Sequence, residues 1–233
     1  WQDGKLTGIH KSLWEAPGTS EQLYDLSADP WETKNLAADP AHAEKLAALR
    51  ERLKATIKEA KDTGLVPEPL FQGLSGKSTI ADHVQNEKFD HGMITDLAFT
   101  ATEIDLKNLP LLKGAIASSD LIERYWGAVG MRLLGEKAAA EADSLPPLLK
   151  DKHAGIRTTA GQALFALGKK DIAAEALLAD VASEMDAPSL LNLLNTLRRY
   201  GLLDRLPEGW AKGKSMKGAD FNYIERFSKR TKE

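Results

Sequence analysis

The stretch "RTTAGQALFALG", residues 157–168, decides the reading of the fold, because two others align with it on their last residue: "RYWGAVGMRLLG" at 124–135 and "LLNLLNTLRRYG" at 190–201. The closing residues Gly135, Gly168 and Gly201 are each 33 apart. Within the three stretches and the residues leading into them, Ile122, Trp126, Val129 and Leu133, then Ile156, Ala160, Ala163 and Leu167, then Leu190, Leu194 and Leu197 recur at three- and four-residue steps. That spacing predicts one apolar stripe per helix, and the glycine suits a helix C-terminus in the left-handed conformation.

Another apolar segment precedes each helix: "LPLLKGAI", "LPPLLKD" and "AAEALLADVA". A period in the thirties with two helices per unit predicts a mainly α chain, a HEAT-like α-solenoid over 105–204 whose units bury their apolar faces by stacking. An irregular helical bundle is the competing architecture.

Upstream, "ADPAHAEKLAALRERLKATIKEAKDTG" predicts a long helix with Asp39 as N-cap, Pro40 in the first turn and Gly64 closing the end. Leu46, Leu49, Leu53 and Ile57 form its apolar stripe, which must pack on something. The first segment carries Leu6, Ile9 and Leu13 at helical spacing and stops at Pro17-Gly18, predicting a short helix. "QLYDL" alternates apolar and polar residues and predicts a strand over Leu23 to Leu26, poorly paired for want of partners.

Residues 69–104 read as a connector with a short helix. The tail, 205–233, holds eight basic residues against four acidic and places Phe221, Ile224 and Phe227 on a short capping helix, its lysines reading as a solvated loop.

Composition narrows the chemistry. A net charge of −3 over 233 residues gives no global case for nucleic acid or an anionic membrane. Cysteine is absent, which removes disulfides, thiolate metal sites and thiol nucleophiles. No run approaches the roughly 20 apolar residues that span a bilayer. The chain starts at Trp1, which suggests a processed product or an excised fragment.

Motif by motif, chemistry fails to assemble. "GLSGKST" ends like a phosphate loop, but the glycine required five residues before Gly76 falls on Phe71. Asp82-His83 and Asp90-His91 are eight apart, where a helical metal site wants ligands four apart, and nothing nominates a third ligand. No G-x-S-x-G turn occurs. No catalytic, cofactor-binding or metal-ligating residue is therefore nominated, and no cofactor is expected in this chain.

The segment "LYDLSADPWETKNLA" resembles the L-Y-D-L-x-x-D-P-x-E-x-x-N-L motif near the C-terminal end of sulfatases, with Leu23, Tyr24, Asp25, Leu26, Asp29, Pro30, Glu32, Asn35 and Leu36 in the matching positions. The flanks are similar to a bacterial subgroup in which "GKLT…W" precedes the motif, "DTGLVPE" follows the helix, and HEAT-like repeats extend the chain.

The resemblance implies that residues 1–68 are a remnant of the small sulfatase C-terminal α+β subdomain. It implies a parent enzyme that hydrolyses sulfate esters with a formylglycine, made in a C/S-x-P-x-R motif, and a calcium ion, both in a catalytic domain absent here. A periplasmic or secreted home is likewise only what the family suggests. For the motif itself the expected role is structural, with Asp29-Pro30 turning the chain and Asn35 bonding backbone. Expected partners are that missing domain or another protein surface. The alternative is a free-standing helical-repeat adaptor that offers aromatic residues such as Trp126 on its inner helices.

Overall fold

The computed structural model describes residues 5, 7, 19–76, 78–86 and 89–211. The expected helices at the two ends of the chain, through Leu13 and through Phe221, lie outside the described residues. The protein is mainly helical, with no strand among the described residues. It divides into two compact units, 1–56 and 57–233.

In the first unit the expected strand is replaced by a loop. Asp25 Oδ1 accepts from the Ser27 amide at 3.0 Å and hydroxyl at 2.6 Å, and the Asp25 carbonyl accepts from the Ala28 and Asp29 amides. The chain therefore turns at Asp25, halfway through the alternating stretch, and a side chain that hydrogen-bonds its own backbone outcompetes a ladder that has no second strand. Asp39 then caps as expected, accepting from the Ala41 amide, and opens a 3-10 turn at Pro40–His42 that leads into helix α1, Ala43–Ala60.

The helix ends differently from the expectation. Lys61, with φ 49°, takes the left-handed position, while Gly64 has no positive φ. The amides of Asp62 and Lys61 bond back to the carbonyls of Ile57 and Lys58, the paired bonds of a Schellman termination. No residue of α1 is buried, and Leu49 and Leu53 on its stripe stay exposed.

The second unit is built of short helices: α2 Phe71–Ser75, α3 Ile80–Val84, α4 His91–Thr102, α5 Leu109–Ile116, α6 Leu121–Leu134, α7 Ala154–Ala166, α8 Lys170–Asp180 and α9 Ala187–Arg199. Its core lies where α6, α7 and α9 pack against their neighbours, α7 touching both α6 and α9. Met131, Ile156, Leu164, Leu190, Leu193, Leu194 and Leu197 are at most 1% exposed. Each such side chain contributes roughly 1.5 to 3 kcal/mol relative to leaving it in water.

The 33-residue period is visible in the backbone. N-caps stand at Asp120, His153 and Asp186, and the closing glycines have φ of 56°, 84° and 67°. At α7, Lys169 and Gly168 donate to Leu164 and Phe165; at α9, Leu202 and Gly201 donate to Leu197 and Arg198. These are the same Schellman pair one period apart.

The first halves of the periods do not repeat as closely. Where two helices per period were expected, the middle unit uses 3-10 segments, Gly135–Ser144 and Pro146–Lys150, in place of the first. Pro146 and Pro147 lack amide donors, so an α-helix cannot run through that corner. Glycine also sets one helix spacing: a Cβ on Gly127 would sit 2.8 Å from the Ile116 amide nitrogen and 2.9 Å from the Leu112 oxygen.

Candidate functional site

Three places concentrate polar side chains. The first is the loop that carries the sulfatase-like motif. Asn35 Oδ1 accepts from the Leu23 amide at 2.9 Å and the Ala37 amide at 3.0 Å, while Nδ2 donates to the Glu21 carbonyl at 3.2 Å. The Leu36 amide bonds the Leu23 carbonyl, which closes the loop. Asp29 accepts from the Lys34 amide at 2.8 Å and the Thr33 hydroxyl at 3.0 Å. Those bonds hold the Asp29 carboxyl below the usual range, the Lys34 amide foremost, and the Ser27 hydroxyl does the same for Asp25. Glu21 forms a two-armed ion pair with Arg50 at 2.6 Å, which lowers its pKa. The motif's polar groups are thus turned on the loop itself, and Asn35 bonds backbone as expected.

The second place is a buried pair of ion pairs that the sequence reading did not single out. Arg124 Nε meets Asp151 Oδ2 at 2.8 Å, and Arg157 Nε meets Asp180 Oδ1 at 2.7 Å. Arg124 Nη1 also donates to the Ser118 and Ser119 carbonyls, and Arg157 Nη1 to those of Asp151 and Lys152, each 33 positions on. Each arginine ties the turn before its own helix to a carboxylate further along the chain. Side-chain exposures of 9% to 14% place these pairs inside the fold, where they hold neighbouring units together. The signal was present: two arginines one period apart, each followed by an aspartate 27 or 23 residues later.

The third place is a cavity of about 360 Å³ lined by His83, Phe89, Asp90, Met93 and Asp120. It brings together His83 and Asp90 of the two Asp-His pairs, and the carboxylates of both pairs are engaged by backbone amides at helix starts. Asp82 forms a capping box with Thr79, and Asp90 caps α4 through the Met93 amide at 2.8 Å. His91 Nε2 is 2.7 Å from the Val84 carbonyl and therefore carries the proton it donates there. Asp120 is spent on the Ile122 and Glu123 amides at the start of α6.

No group of three His, Asp or Glu side chains that could hold a metal occurs among the described residues. "GLSGKST" contributes the short helix α2 and, from Ser78 on, the approach to α3. Trp126 is committed too: its Nε1 donates to the Leu65 carbonyl at 3.0 Å, and its ring packs on two core clusters. An aromatic pair, Phe165 and Tyr200, is stacked with centroids 3.8 Å apart.

No helix among the described residues is long and apolar enough to cross a membrane. Comparison with family models, with curated proteins and with solved structures finds no match.

Proposed function

We propose that this chain is the non-catalytic C-terminal part of a sulfatase-like hydrolase of sulfate esters. In this reading residues 1–68 are a remnant of the small sulfatase subdomain, and the helical units beyond act as a HEAT-like scaffold or interaction module. The observation that carries it is the loop 19–40: its motif residues match the sulfatase pattern, and Asp25, Asp29 and Asn35 are all spent on backbone and neighbouring hydroxyls. Carboxylates so engaged are poor general bases, because the bonds stabilise the ionised form and lower the pKa.

A second feature fits the same reading. Trp31 is 85% exposed and Leu26 59%, and Leu53 on α1 is 53% exposed. In this reading they belong to a surface that the catalytic domain would cover. Formylglycine and calcium belong, in this reading, to that other domain.

The purified chain is expected to release no sulfate from an aryl sulfate with or without calcium. Turnover abolished by a single substitution within residues 19–211 would overturn the assignment.

The second reading, a free-standing adaptor, draws on the half-buried Phe165–Tyr200 stack and the Lys170 ammonium over the Phe165 ring.

A further inference from the structure

The C-terminal halves of α6, α7 and α9, one glycine-closed helix per period, are linked in turn by Arg132 to Gln162, by Gln162 to Thr196 and by Phe165 to Tyr200. Around them the sequence places Arg132, Lys169, Lys170, Arg198 and Arg199 against Glu136 and Asp171, a local excess of positive charge in a chain whose total is −3. Helix C-termini attract cations, and each carries about half a negative charge, so three ends offset roughly one and a half of these charges. The surface stays positive.

These cations differ from the buried arginines in having no carboxylate partner among the described residues. Arg132 Nη1 donates to the neutral Gln162 Oε1 at 2.5 Å, and Gln162 Nε2 passes the bond on to Thr196 Oγ1 at 2.7 Å. Lys170 Nζ stands 5.8 Å from the centre of the Phe165 ring. Neither Arg132, Lys170 nor Arg199 forms an ion pair among the described residues, and Lys170 and Arg199 are exposed. Arg199 directly precedes Tyr200 in the chain, and burial raises the Tyr200 pKa while the charges of Arg132 and Arg199 act against that rise.

We propose that this face, centred on Arg132, the Phe165–Tyr200 stack, Lys170 and Arg199, binds an acidic peptide segment of a partner protein. Charge complementarity supplies the attraction, and the fixed aromatic pair supplies a rigid apolar floor for the segment's side-chain stems. Nucleic acid fits less well, because a chain whose total charge is −3 lacks the basic excess that a phosphate backbone calls for. The inference rests on the reading of the helical units as an interaction module.

The test is fluorescence anisotropy of the full chain with labelled octaglutamate, beside octaglutamine and an eight-nucleotide single-stranded DNA. Octaglutamate is expected to bind, to weaken as salt rises from 50 to 200 mM, and to lose roughly five- to tenfold in affinity in Arg132→Gln/Arg199→Gln. Lys170→Gln/Arg199→Gln, which removes two exposed side chains with no hydrogen bond among the described residues, should lose a similar factor and guards against a folding defect in the first variant. The proposal is overturned by absence of binding, by equal binding of octaglutamine, by tighter binding of the DNA, or by unchanged affinity in both variants. None of these results bears on whether a sulfatase motif lies upstream, so the two ideas fail separately.

Discussion

At the scale of single residues, Lys61 shows how a termination motif can select a position against local preference. Its φ of 49° places a β-carbon-bearing residue where glycine costs nothing, at about 1 to 2 kcal/mol. Lys61→Gly is therefore expected to stabilise the protein by about 1 kcal/mol, read as a higher urea midpoint at unchanged slope. An unchanged or lower midpoint would mean that the Lys61 side chain, whose Nζ reaches the Gln85 carbonyl at 3.5 Å, holds more than its backbone loses. Gly64 could be read from the sequence as a stop, but the hydrogen bonds that select the residue after Ala60 depend on where the last helical carbonyls fall. Composition cannot reveal that. Asp39 and the three closing glycines were legible because a cap is chosen by chemistry local to one or two positions.

At the scale of elements, α1, α6, α7 and α9 were readable from their apolar spacing, while the strand, the middle unit's first helix and the three helices within 69–104, a segment read as a connector with one short helix, were not. Leu23 to Leu26 alternates like a strand, yet a strand is a property of two segments, and Asp25 offered the backbone a nearer partner. Pro146 and Pro147 likewise turn an apolar segment into a 3-10 corner. The two buried ion pairs escaped the reading because each needs a fold to bring its halves together.

Their energetic role is testable. Removing one partner leaves an uncompensated buried charge, so Arg157→Ala and Asp180→Ala should each cost about 3 kcal/mol or more. The double variant should cost distinctly less than the sum, as a double-mutant cycle on denaturation midpoints would show. Strict additivity would mean that the 2.7 Å contact between them carries no coupling.

At the scale of the whole molecule, the described residues are mainly helical, with three glycine-closed helices one 33-residue period apart in the second unit and a loop leading into α1 in the first. The candidate sites are spent on structure: the loop closes on itself, the Asp-His pairs cap helices, and the arginines brace neighbouring units. Of these side-chain roles, the backbone bonding of Asn35 was legible, because a short amide beside a turn reaches its own backbone. The cationic face was not, because its members come from helix ends one period apart. In the function proposed, the chemistry lies in another domain of the same protein. The most direct test of that proposal is to sequence the coding region upstream of Trp1: the account predicts an open frame of a few hundred residues containing a C/S-x-P-x-R motif, and an initiator Met close to Trp1 with no such motif would contradict it.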